Sequence, residues 1–267
     1  MPVALFDRID ESKFVPTDHC LGPWTADLLH GGPVGALLAH QLLASATEGE
    51  WFPARFTLDL MRPISMAPVE ITSTILRAGR RAQLVGAEWR NGGTTAARAT
   101  LQLIAASEAA VADDNPAKHW ARSAKPTPPE SAPRAWPYLP TGGNSFQSTS
   151  VEHRAREGAL RARKGADSDW ICVLCDLLLD TPLAPFERVI CAADFGNGVS
   201  ASLPFEEYMF LNADLTVHTF RLPVDEWVLI DAITHMGDRG IGLAESALYD
   251  REGLLGRACQ SLVVSRR

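Results

Sequence analysis

Arg55-Phe-Thr-Leu-Asp-Leu-Met-Arg62 falls on Asp214-Leu-Thr-Val-His-Thr-Phe-Arg221 when the chain is slid along itself by 159 residues, and the register then runs without a gap to Arg267. Ten positions between Ala54 and Ile104 carry the same residue as their partners, among them Thr57 and Thr216, Arg62 and Arg221, Ile71 and Ile230, and Arg98 and Arg257. Apolar residues alternate in step around those identities. Two copies of one fold unit are the simplest explanation. A tandem repeat creates an internal interface, the kind of place where ligand sites tend to lie.

Working outward, His30-Gly-Gly-Pro33 leads into Val34, Leu37, Leu38, Gln41 and Leu42, the spacing of one helical face, which predicts a helix from Pro33 to about Thr47. Strands are expected at 55–62, 69–78, 83–90 and 94–105, with Asn91-Gly92-Gly93 as a hairpin turn. Residues 107–145 are polar and proline-rich and read as a linker. Strands are then predicted at 148–154, 160–163 and 170–178. A second helix starts near Pro185 and ends at Asp194-Phe-Gly-Asn-Gly198, with Gly196 or Gly198 expected as a left-handed stop. A second meander follows at 212–221, 227–235, 241–249 and 256–264. A helix beside an antiparallel sheet, twice in one chain, is an α+β double hotdog. Its N-terminal unit would be residues 1–106 and its C-terminal unit 146–267, the two forming one continuous sheet with both helices on the same side.

With 267 residues and 46% hydrophobic content the chain can build a real core. No apolar run is long enough to span a bilayer, and Met1-Pro-Val-Ala-Leu-Phe-Asp-Arg8 lacks a signal-peptide layout, so the cytoplasm is the expected location. Five cysteines, an odd number, fit reduced thiols. Cys172-Val-Leu-Cys175 has neither a second cysteine pair nor a histidine pair to complete a zinc site, so it reads as structural, and no metal is expected. A net charge of −7 gives no general attraction to nucleic acid or acidic membranes, and an anionic ligand must be met by local basic groups. The run Arg154, Arg156, Arg161, Arg163 and Lys164 could serve, but such a run is usually a solvated face. Gly237-Asp-Arg-Gly-Ile-Gly242 echoes a dinucleotide loop, yet it lies between predicted antiparallel strands, the wrong context.

Three places could carry chemistry. Asp194 is expected in the last turn of a helix, where the negative end of the dipole disfavours a carboxylate. Either it serves as a general base or it caps the turn at Gly196 and Asn197. Gln260 shares a predicted strand face with Ala258, Leu262 and Val264, an otherwise apolar row, so its amide must find buried partners. Gly31 and Gly32, following His30, open a helix whose first N–H groups lack partners within the helix. They could receive a carbonyl oxygen or a phosphate, or they could simply allow close packing.

The chain resembles the acyl-CoA thioesterases of the double-hotdog, medium-chain thioesterase II (TesB-like) group. The residues that carry the likeness are His30-Gly-Gly-Pro-Val-Gly35, Trp170, Ala193-Asp-Phe-Gly-Asn-Gly198, Phe220-Arg221 with Pro223, Glu226-Trp227 and Gln260. The resemblance implies an acyl-CoA substrate, a role in lipid metabolism, no cofactor, and a water activated by an aspartate and a glutamine at the positions of Asp194 and Gln260. Where the family has a Thr or Ser hydroxyl this chain has Asn212, which can hold a water but cannot be a nucleophile. Alternation would place Asn212 in a polar row with Asp214, Thr216 and His218. A non-catalytic acyl-CoA or lipid-binding hotdog is the rival reading. A hydratase of the same fold would need a histidine and an acid facing one tunnel, and no such pair is visible. Assembly as a homo-oligomer is left open.

Overall fold

In the computed structural model, which describes residues 3–25, 27–107, 116, 125–135, 144–155 and 164–267, the two meanders meet edge to edge. The first half contains β1 (Ala4–Arg8), β2 (Lys13–Pro16), α1 (Gly31–Ala44), β3 (Trp51–Leu60), β4 (Val69–Ala78), β5 (Ala82–Asn91) and β6 (Thr94–Ala105). The second contains β7 (Arg134–Ala135), α2 (Phe146–Thr149), β8 (Val151–Ala155), β9 (Ala166–Val173), β10 (Asp176–Leu178), α3 (Pro185–Ala193), α4 (Gly196–Val199), β11 (Tyr208–Asn212), β12 (Asp214–Thr219), β13 (Trp227–Met236), β14 (Ile241–Asp250) and β15 (Gly253–Arg266). Their order across one sheet is β10-β1-β2-β4-β5-β6-β3-β12-β15-β14-β13-β9-β8-β7, with β11 also paired to β15. This is the expected α+β double hotdog.

The junction explains the repeat. β3 and β12 pair antiparallel with Thr57 opposite Thr216, two residues that the 159-residue offset also matches. A residue paired with its own counterpart lies on a local two-fold axis, so the halves meet as two identical subunits would.

Some elements differ from the sequence reading. The predicted strand at 170–178 is two strands, β9 and β10, broken at Leu174 and Cys175, and β10 crosses to pair in parallel with β1 of the other half. Ser148 lies in the short helix α2, and the strand predicted at 160–163 lies outside the described residues. The strand predicted at 212–221 is divided at Ala213 into β11 and β12. Gly196 and Gly198 keep negative φ, so neither is a left-handed stop, whereas Gly92 and Gly93 at φ 54° and 79° make the expected hairpin turn.

α1 is apolar on nearly every side because it is wrapped on nearly every side. Val34, Leu37, Leu38 and Leu42 are fully buried, each contributing about 1.5–3 kcal/mol. Its closest neighbour is α3, and glycine permits the approach: a Cβ on Gly35 would stand 2.7 Å from Ile190 Cγ2. Further along, Glu187 at the start of α3 accepts from Ala184 N and meets His40 Nδ1 of α1 at 2.8 Å. Just past the end of β12, Arg221 grips the fully buried Asp250 at the end of β14 with two hydrogen bonds of 2.7 and 2.5 Å. Burial alone would raise the Asp250 carboxyl, but that grip and the N–H groups of Val224 and Glu252 hold it below the ordinary value. Phe220-Arg221 is thus a lock between strands.

Gly35→Ala should lower stability by about 1–3 kcal/mol, because Ile190 is fully buried and its branched methyl cannot turn aside without repacking. Denaturant unfolding checks this; an unchanged midpoint would show that the helices do not pack this closely.

Candidate active site

Asp194 is the residue after α3. Its φ and ψ of −69° and −14° continue the helical turn, and its N–H reaches Ile190 O, so the side chain is held by a rigid element. The carboxylate is 3% exposed and sits against the start of α1. A Cβ on Gly31 would lie 2.8 Å from Oδ2 and 2.9 Å from Oδ1. Asn212 Nδ2 donates to Oδ1 at 3.0 Å, and Gln260 Nε2 donates to the Asp194 carbonyl at 3.1 Å and to Oδ1 at 3.3 Å. All three expected polar side chains therefore meet at one carboxylate, between the halves of the chain.

Gln260 is buried on the face that alternation assigned to it, with Ala258 and Leu262. Asn212 is not in a solvent-facing row with Asp214, Thr216 and His218, because the break at Ala213 separates it from β12. It follows the buried Phe210 on β11 and turns inward.

Asn197, whose role the sequence did not reveal, fixes both amides. Its backbone N–H donates to Gln260 Oε1 at 3.0 Å, and its Nδ2 donates to Asn212 Oδ1 and Phe210 O, each at 3.0 Å. With their oxygens occupied, both amides must present NH₂ to Asp194. Gly196 serves close approach here, since a Cβ would fall 2.7 Å from Ser246 Oγ and 2.9 Å from Gln260 Oε1.

The start of α1 has little unused donor capacity. His30 is the N-cap: its own N–H goes to Cys20 O, and its Nδ1 accepts from Gly32 N at 3.1 Å. Pro33 has no N–H, and from Val34 onward the helix's own carbonyls take the donors. Gly31 is left, and its N–H makes no hydrogen bond among the described residues. The expectation that Gly32 would also offer a donor is therefore corrected. Its Cβ direction meets Cys191 O at 3.1 Å, so it serves helix packing. His30 Nδ1 is 3.0 Å from Asp194 Oδ2, but it is already the acceptor for Gly32. Protonated at Nδ1 the ring pairs with Oδ2, and unprotonated there it caps Gly32, so one nitrogen faces two competing partners.

An aromatic wall stands behind His30. Phe195 lies 4.7 Å from the His30 ring and 5.8 Å from Phe146, between centroids. His153 meets the edge of Phe195 and bonds Asp169 Oδ2 at 2.5 Å and Gln147 O at 2.9 Å. Burial pushes the Asp169 carboxyl up, against the pull of His153. No sequence spacing marks this pair, which joins neighbouring strands.

The offset that relates the halves maps Asp194, Asn212 and Gln260 onto Gly35, Pro53 and Leu101. The mirrored position therefore has none of the three polar side chains. Cys172 and Cys175 are free and buried, and burial raises the Cys172 thiol to about 11. Arg154 is engaged by Glu152 and Pro129 O, while Arg156, Arg161 and Arg163 lie outside the described residues. Among the described residues no three His, Cys, Asp or Glu side chains form a metal-binding group, and no helix is long and apolar enough to cross a membrane.

Asn197→Asp would set a buried carboxylate against two acceptors. Thermal unfolding at pH 7 should show a loss of about 2 kcal/mol or more. Folding would raise the new carboxyl's pKa above its unfolded value near 4, so the deficit should open as pH rises through that region and shrink in acid. A pH-independent deficit would contradict the donor assignment of Asn197.

Residues 21–104 match the family described as acyl-CoA thioesterase N-terminal domain, and residues 122–264 the acyl-CoA thioesterase C-terminal domain. Among solved structures, a hot dog fold protein from Alicyclobacillus acidocaldarius superposes with a TM-score of 0.72 at 15% identity, covering 97% of this chain and 95% of the other. The tesB protein of Mycobacterium avium subsp. paratuberculosis gives 0.69 at 15% identity over 97% and 95%. The acyl-CoA thioesterase II TesB2 of Mycobacterium marinum gives 0.64 at 15% identity over 98% and 96%. No curated protein sequence matches. At these identities the structural likenesses speak for the fold, and the two adjoining domain matches, spanning most of the sequence, place the chain in the acyl-CoA thioesterase family.

Proposed function

We propose that the protein hydrolyses acyl-CoA thioesters by direct attack of a water held on Asp194. The observation that carries this reading is the contact between the Asp194 carboxylate and Gly31, where α1 has one backbone donor to spare. The family requires a nucleophilic water and a donor for the oxygen that becomes negative, and these two groups, side by side, can supply both.

In this scheme the water oxygen bonds to the thioester carbon while Asp194 takes its proton. The carbonyl oxygen, now carrying the negative charge, is met by Gly31 N–H at the positive end of the α1 dipole. The carbon–sulfur bond then breaks, and the proton on Asp194 passes to the departing thiolate, giving the free acid and coenzyme A. Gln260 and Asn212 keep Oδ1 occupied, which leaves Oδ2, beside His30 Nδ1 and Gly31, to take the water's proton. Asn212 in place of a hydroxyl suits this scheme, because the position has only to donate to the carboxylate.

Asp194→Asn keeps size and most hydrogen bonding but removes the base, so thiol release should fall about 10²-fold or more while acyl-CoA still binds. Asn212→Ala should cost less, since Gln260 also donates to Oδ1. Gly31→Ala, which pushes a methyl into the carboxylate, should impair binding and turnover together. A wild type that binds acyl-CoA, releases no thiol above background and is indifferent to Asp194→Asn would instead be a binding protein that keeps the fold without the reaction.

A further inference from the structure

Acyl-CoA carries its reacting carbon at one end and several phosphate charges at the other, and a protein of net charge −7 must meet those phosphates locally. The strands that bring Asn212 and Gln260 to the site also lead to a pair of arginines. On the face of β15 that carries Gln260, the successive residues are Leu262, Val264 and Arg266, and on β11 the face of Asn212 continues through Phe210 to Tyr208. The register sets Asn212 opposite Leu262, Phe210 opposite Val264 and Tyr208 opposite Arg266. Tyr208 is four residues from Asn212, about 13 Å along a strand.

Between the two ends lies an aromatic cluster separate from the main core, made of Trp24, Phe205 and Phe210. Trp24 meets Phe205 at 5.2 Å and Phe210 edge-on at 5.4 Å. Both arginines rest on aromatic rings: the Arg266 guanidinium is 5.7 Å from the Tyr208 centroid, and that of Arg267 is 5.7 Å from Trp24. The Arg267 backbone is anchored by its N–H to Glu207 O. Neither side chain forms an ion pair among the described residues, so the aromatic rings are what seat them. A guanidinium stacked on a ring loses little freedom on meeting a phosphate, which it can grip with two N–H groups.

Resting on the thioesterase reading above, we propose that Arg266 and Arg267, seated on Tyr208 and Trp24, bind the phosphates of coenzyme A, with the pantetheine arm directed along β11 toward Asp194.

Calorimetric titration with coenzyme A and with pantetheine, which lacks the nucleotide, tests the site without requiring turnover. The wild type should bind coenzyme A at least about tenfold more tightly than pantetheine, and Arg266→Ala/Arg267→Ala should remove most of that preference. Arg266→Lys/Arg267→Lys should retain part of it, which separates loss of charge from loss of fold, and melting curves of both variants report folding directly. In kinetics, KM should rise for an acyl-CoA and not for the matching acyl-pantetheine. A wild type without preference for coenzyme A, or a double alanine variant that keeps it, would overturn the proposal. Absence of thiol release from either ester would count against the hydrolase reading, and the titration would still decide the site.

Discussion

The structure depends on how closely α1 and α3 approach each other. Side chains at Gly31 and Gly35 would collide with Asp194 and Ile190 respectively, so both positions must lack a Cβ if the helices are to lie at this separation. The two contacts are related by the offset that relates the halves of the chain, Gly31 corresponding to Ile190 and Gly35 to Asp194. One symmetric packing requirement thus yields two unlike results. On one side a carboxylate rests on the start of a helix, and on the other a methyl group fills the equivalent gap. Duplication within one chain allows this, since each copy can change without its counterpart.

The polar network follows from that placement. A buried carboxylate at the end of a helix is unfavourable by itself, both through lost hydration and through the dipole. Asn212 and Gln260 offset this with N–H donors, and Asn197 determines that donors, and not acceptors, face the carboxylate. The continuation of the chain as α4 immediately after Asp194 allows this, because it brings the Asn197 backbone N–H within reach of β15. His30 Nδ1, when unprotonated, caps Gly32, which leaves Gly31 as the unassigned donor beside Oδ2.

Much of this could be read in the sequence because it rests on periodicity. The offset between the halves survives in the structure as the pairing of Thr57 with Thr216, and the burial of Gln260 follows from strand alternation alone. The misreadings share a cause, which is that a contact distant in sequence overrode a local pattern. Alternation alone sets Asn212 in a polar row with Asp214, Thr216 and His218, the alternative to its place at the site, because nothing local announces the break at Ala213. Gly196 looked like a left-handed stop, but it is required by Ser246 and Gln260, on strands far along the chain. The bonding role of Asn197 and the His153–Asp169 pair are hidden from the sequence for the same reason, as their partners are set by strand and helix packing that no spacing encodes.

The central claim is that water itself, held on Asp194, attacks the thioester without an acyl-enzyme intermediate. A single turnover in ¹⁸O-labelled water, with the intact protein recovered and weighed by mass spectrometry, tests it most directly. The account predicts one labelled oxygen in the released acid and a protein of unchanged mass at every time point. An acyl adduct on the protein, or label incorporated into Asp194, would contradict it.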